Sequence, residues 1–170
     1  MSLLSLDAEA LYADLRRGVG ALLRTLPGDA VLVGIWSGGA WLAERLHRDL
    51  GLPGEHGVIS STLHRDDFGS RGLAGGAAHT RLPFDVEGRA IVLVDDVLYT
   101  GRTVRAVINE LYDFGRPARV LLAVLVDRGG RELPIEAAYS AARITLPPGQ
   151  RLSLARGDDG RIAFDIETGS

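Results

Sequence analysis

Cysteine is absent from this chain, and so is lysine. Without cysteine there is neither a disulfide framework nor a thiolate metal site, as suits a reducing compartment. Without lysine, all 19 basic residues are arginine, which we read as compositional bias and not as a phosphate-binding signal. Aromatic residues make up only 6% and the net charge is −3, which argues against a broad, nonspecific nucleic-acid surface. No apolar run approaches the roughly 20 residues of a membrane helix, and the N-terminus lacks a basic region followed by an apolar core. The sequence therefore predicts a soluble cytoplasmic protein.

What is present is an ordinary globular balance: 170 residues, 46% hydrophobic and 24% charged, enough for one domain over residues 1–170. Leu11, Leu15, Val19, Leu22 and Leu23 recur at helical spacing between Leu6 and Arg24, with Asp7 placed to cap that helix. Ala30 to Ile35 reads as a strand covered on both faces, followed by a helix from Trp41 to Leu50 and a strand from Val58 to Leu63. Ala90 to Val94 and Arg119 to Val126 are two more apolar strands, separated by a helix from Thr103 to Phe114. This alternation predicts a central parallel sheet flanked by helices. Apolar and polar residues alternate over Arg151–Arg156 and Arg161–Glu167, around Gly157-Asp158-Asp159-Gly160, which predicts a C-terminal antiparallel hairpin. From Arg65 to Arg81 the chain is rich in Gly, Ala and polar residues without apolar period, as a long functional loop is.

The chemistry concentrates in Val92-Leu93-Val94-Asp95-Asp96-Val97-Leu98-Tyr99-Thr100-Gly101-Arg102-Thr103. Asp95 and Asp96 stand at the carboxyl end of a buried strand, where open parallel sheets bind ligands. Two adjacent carboxylates there are costly unless they meet hydroxyls, a cation or developing positive charge. The turn that follows aims backbone N–H groups, two Thr hydroxyls and a helix N-terminus at one place, a built-in phosphate site. Taken singly, each feature is an ordinary strand end or helix cap; in this order and spacing they read ribose plus phosphate. A receiver-like magnesium site is excluded, because it wants its acidic pair early and a Lys near the end.

The run resembles the signature of type I phosphoribosyltransferases, which bind 5-phosphoribosyl-1-pyrophosphate (PRPP). The chain is similar in particular to the PyrR family, pyrimidine operon regulators with uracil phosphoribosyltransferase activity. Three further stretches carry the narrower likeness: Val31-Leu32-Val33-Gly34-Ile35, Arg65-Asp66-Asp67-Phe68, and the run from Leu122 to Pro134 ending Val-Asp-Arg-Gly-Gly-Arg-Glu-Leu-Pro. The last separates this family from purine and orotate enzymes.

The resemblance implies the type I phosphoribosyltransferase fold, with a mobile loop after the second strand, and the reaction of uracil with PRPP to UMP and pyrophosphate. Mg²⁺ rides mainly on the pyrophosphate. Asp95 and Asp96 act catalytically with Arg65. Residues Asp95, Asp96, Val97, Leu98, Tyr99, Thr100, Gly101, Arg102 and Thr103 hold the ribose and 5′-phosphate. Ser37, Gly38 and Gly39 form the pyrophosphate loop, while Asp127, Arg128, Gly129 and Gly130 flank uracil. No residue is assigned as a resident metal ligand. A homo-oligomer, dimer or tetramer, is also implied.

The chain departs from the family in three places. Trp36 stands where a basic side chain is usual, and Arg65 is the candidate to supply part of that charge. His64 replaces a common Tyr, and Gly130 replaces a typical His. Arg131 and Glu132 read equally as part of the base loop or as a structural ion pair. The competing function is an RNA-binding attenuation regulator that senses UMP and PRPP with little catalysis. Arg16, Arg17, Arg24, Arg45 and Arg48 are its candidate contacts, although the overall charge does not support RNA.

Overall fold

The computed structural model describes residues 6–61 and 79–169. Helix α1 covers Ala8–Arg24, and the Ala10 N–H donates to Asp7 Oδ1 at 3.1 Å, so the expected cap forms. Then come β1 (Val31–Ile35), α2 (Gly38–Asp49), β2 (Gly57–Ile59), β3 (Ala90–Leu98), α3 (Arg102–Phe114), β4 (Arg119–Asp127) and β5 (Tyr139–Arg143). Strands β6 (Gln150–Arg156) and β7 (Ile162–Thr168) close the described chain.

Five parallel strands make one sheet in the order β2-β1-β3-β4-β5. Because side chains alternate across a strand, the sheet builds two cores. On one face Leu32, Val92, Val94, Ala123 and Leu125 pack against Tyr12, Leu15 and Val19 of α1 and Leu42 and Leu46 of α2. On the other, Val33, Ile91, Leu93 and Val124 meet Val104, Val107 and Leu111 of α3. β6 and β7 form a separate antiparallel hairpin whose Leu154 and Ile162 join the first core.

The structure differs from the sequence reading in several places, among them β2, which is Gly57–Ile59 where a strand from Val58 to Leu63 was expected, residues 60 and 61 lying outside it. α2 begins at Gly38 and not Trp41, because the two glycines already form its first turn. β3 runs on through Leu98, which puts the acidic pair inside the strand's last residues. β5 was not anticipated: Tyr-Ser-Ala-Ala-Arg has neither apolar alternation nor β-branched residues, and its place at the sheet edge comes from pairing with β4. The expected C-terminal antiparallel hairpin forms, as a two-stranded sheet of its own. Leu63, His64 and the Arg65-Asp66-Asp67-Phe68 stretch lie outside the described residues, as does most of the expected mobile loop.

Candidate functional site

β3 and β4 end level, with Leu98 beside Asp127, while β1 ends at Ile35, just past the pairing of Gly34 with Val94, so the loops that follow the three strands lie on the same side of the sheet. Asp95 is buried, 8% exposed, and pairs in register with Val124; Asp96 is half-buried. The Asp96 N–H donates to Asp95 Oδ1 at 2.9 Å and the Val97 N–H to Asp96 Oδ1 at 2.8 Å. Local backbone donors thus fix both carboxylates before any ligand arrives.

The chain then turns through Tyr99 and Thr100 into Gly101, the N-cap of α3, which has φ of 95°. Thr100 Oγ1 accepts the Arg102 N–H at 3.1 Å, and the first N–H groups of a helix lack intrahelical acceptors. Thr103 is half-buried in that first turn. The Arg102 guanidinium reaches away to Glu132 at 2.5 Å, so what this residue offers the turn is its backbone. Arg102 and Glu132, with Arg105 and Leu133, line an open cleft of about 520 Å³.

Behind β1, Ser37 caps α2 without a side-chain capping bond. Gly38 and Gly39 are buried and pressed against β3. A β-carbon at Gly38 would fall 2.5 Å from Asp96 Oδ2, and one at Gly39 only 2.2 Å from the Val94 carbonyl oxygen. Only glycine lets the helix start approach the acidic pair this closely. Trp36, 36% exposed, precedes this loop through a cis peptide, and its indole stacks on His79 with centroids 3.9 Å apart. Nothing in the sequence singled out His79; a lone histidine carries no pattern.

The loop after β4 is stitched onto the loop after β3. The Arg128 N–H donates to Leu98 O at 3.0 Å, and the Glu132 N–H to Thr100 O at 2.9 Å. Asp127 accepts the Gly129 N–H at 2.9 Å and Arg131 Nη2 at 2.6 Å. Partial burial works to raise its pKa, but Arg131, the Gly129 N–H and the Arg143 charge outweigh that and hold it below the usual range. Arg131 also donates to Tyr99 O at 2.8 Å and Ile135 O at 2.7 Å. Arg131 and Glu132 therefore pair with other partners and not with each other. Arg128 is 7% exposed; its guanidinium lies 3.8 Å over the Tyr99 ring and donates to Gln150 O at 2.8 Å, with Nε unpartnered. Gly130 has φ of 76°, and a β-carbon there would meet Tyr99 Cε1 at 2.4 Å, which accounts for glycine in place of the family's histidine.

Asp127, Gly129, Gly130 and Arg131 line an open cleft of about 430 Å³ together with Glu136 and Arg143. Asp95 through Thr103, Ser37 to Gly39 and Asp127 to Gly130 thus come together at one end of the sheet. Arg65 lies outside the described residues.

Residues 6–145 match the phosphoribosyl transferase domain family. A protein of Ralstonia nicotianae named bifunctional protein PyrR is 53% identical over 159 residues, 93% of this chain and 91% of that one. The protein of the same name from Nitrosococcus oceani is 43% identical over 169 residues, covering 96% and 93%. Among solved structures, a hypoxanthine-guanine phosphoribosyltransferase from Bacillus anthracis aligns with a TM-score of 0.62 at 17% identity, covering 83% of this chain and 81% of that one. The Leishmania tarentolae enzyme in complex with GMP aligns with a TM-score of 0.62 at 19% identity, covering 99% and 96%. Those two likenesses concern the fold, which is that of the phosphoribosyltransferases. No helix of the described residues is long and apolar enough to cross a membrane.

Proposed function

The chain belongs to the PyrR family of phosphoribosyl transferases, and on that basis we propose that it joins uracil to the ribose of PRPP, giving UMP and pyrophosphate. The observation that carries this reading is the contact between Gly38 and Asp96, which brings a loop suited to pyrophosphate against carboxylates suited to a ribose. As the bond from C1 to pyrophosphate breaks and that to uracil N1 forms, with the N1 proton released to pyrophosphate or solvent, positive charge builds on the sugar. Asp95 and Asp96 orient the hydroxyls and stabilise that charge, already held by backbone donors. The 5′-phosphate sits at the N-terminus of α3, and pyrophosphate at Ser37, Gly38 and Gly39. Backbone groups of Gly129 and Gly130 read the uracil carbonyls and ring N–H, while the Asp127 carboxylate keeps that loop folded.

Among the described residues no cluster of three or more metal-ligating side chains is present. Mg²⁺ carried on substrate phosphates needs only one or two carboxylates from the protein, which Asp95 and Asp96 would supply. When bound, the ion offsets charge on the departing pyrophosphate.

The test is UMP formation from uracil, PRPP and Mg²⁺, with hypoxanthine, guanine and orotate as competitors; preference for any of these over uracil overturns the substrate assignment. The relatives' name, bifunctional, favours a second reading as an RNA-binding regulator. Three of its candidate arginines are engaged elsewhere: Arg45 binds Glu9 through two nitrogens, Arg17 pairs with Asp14, and Arg48 with Asp49. Under the enzyme reading RNA binding is weak and falls steeply with salt. Selective binding of a pyrimidine-leader hairpin that responds to UMP puts regulation first.

A further inference from the structure

The pyrophosphate loop lacks the basic side chain that the family resemblance expects, yet it has a built neighbour. Trp36 and His79 lie nearly parallel, 7° apart, with ring centroids at 3.9 Å. Trp36 itself and the residues that follow His79 are held by hydrogen bonds. The Trp36 N–H donates to Ile59 O at 2.9 Å. On the other side, Thr80 Oγ1 accepts the Ser60 N–H at 3.1 Å, and Val58 and Arg81 exchange two backbone bonds of 2.7 and 2.8 Å. One residue beyond Trp36 is Ser37, and then comes Gly38 against Asp96.

Among the described residues, four arginines around these strand ends are committed, while Arg105 and Arg143 line the two clefts. Arg81 pairs with Glu55, Arg102 with Glu132, and Arg131 with Asp127, while Arg128 is buried over Tyr99. Among the described residues, His79 is in no ion pair, and its ring lies against the residue that opens the pyrophosphate loop. An indole face stacks on an imidazole ring, and a ring N–H at the imidazole edge can donate to a diphosphate. The two attractions act together, since the flat stack leaves the imidazole edge to reach an anion.

Resting on the PRPP reading above, we propose that His79, stacked on Trp36, is a pyrophosphate-binding residue that takes over from the missing basic side chain. The indole at position 36 is then the platform that aims the imidazole. This assigns a site residue outside the sequence motifs and gives Trp36 a positioning role.

Calorimetry at fixed Mg²⁺ with inorganic pyrophosphate, PRPP and UMP tests this, because UMP keeps the 5′-phosphate and lacks the diphosphate. His79→Ala is expected to weaken pyrophosphate and PRPP about tenfold and leave UMP within about twofold, with His79→Arg restoring the loss. Adding Trp36→Leu to His79→Ala is expected to cost nothing more, since the indole acts through the imidazole; additive losses overturn the pairing. Pyrophosphate affinity unchanged in both His79→Ala and His79→Gln overturns the assignment, and so does an equal loss for UMP. Melting curves on each variant exclude unfolding as the cause. If the unaltered protein binds neither PRPP nor pyrophosphate, the PRPP reading itself fails; if it binds both and the variants match it, only the role of His79 fails.

Discussion

The guanidinium of Arg128 stands over the ring of Tyr99, 3.8 Å from its centre, so the loop closing β4 rests on the loop leaving β3. The same Arg128 holds the carbonyl of Gln150, the first residue of the hairpin. One buried side chain therefore ties together the proposed base loop, phosphate loop and hairpin. Arg128→Met is expected to cost about 2 kcal/mol in urea unfolding, as befits a lost charged hydrogen bond, and Arg128→Lys to recover little, since an ammonium is not a planar group. In steady-state kinetics the KM for uracil is expected to rise more than that for PRPP.

Asp95→Asn and Asp96→Asn are expected to lower kcat/KM for PRPP by on the order of 1.5–3 kcal/mol of transition-state stabilisation. Melting temperature is expected to change little for Asp96→Asn, whose side chain is the less buried of the two. Unchanged rates in both variants remove the ribose role.

Gly38 and Gly39 separate packing from function. A β-carbon at Gly39 meets backbone, the Val94 carbonyl at 2.2 Å, and nothing there can rotate aside. Gly39→Ala is expected to destabilise the fold by about 1–3 kcal/mol. At Gly38 the obstacle is the Asp96 carboxylate. Gly38→Ala is therefore expected to keep most of its stability while losing PRPP affinity, measured by calorimetry beside a melting curve.

Acid offers a separate handle. Hydrogen bonds from Arg45, opposed by partial burial and aided by the Ile162 N–H, lower the Glu9 pKa from 4.5 to about 2. A depressed folded value means that the stabilisation is complete above the unfolded pKa and disappears as pH falls toward the folded one. Stability is thus expected to fall between pH 4.5 and about 2, and Glu9→Gln to flatten that part of the slope. Asp14, whose pKa is lowered by its bonds to Tyr139 and Arg17, adds to the same trend. Urea midpoints measured across this window check the sign.

The buried strands and the hairpin were legible because apolar runs and alternation record burial on two faces or one. β5 left no such record: its half-buried Ser140, Ala141 and Ala142 take their place from Tyr139 packing on α1, where Gly18 leaves room for the ring. The acidic pair and the turn into α3 were readable from one contiguous run. By contrast, the bonds from the β4 loop to Leu98 and Thr100 join backbone atoms, which have no residue type to read. The Trp36–His79 stack joins residues 43 positions apart in the numbering, and a single sequence carries no sign of such a pairing.

Glu9 accepts the N–H of Ile162, a partner 153 positions away. Leu154 and Ile162 also complete the core that Tyr12 and Leu15 begin. During synthesis, then, the first helix emerges from the ribosome long before the hairpin that covers it. Until that hairpin docks, the nascent chain displays an apolar surface, and this is the interval in which aggregation competes with folding. Slower translation of the closing residues lengthens that interval.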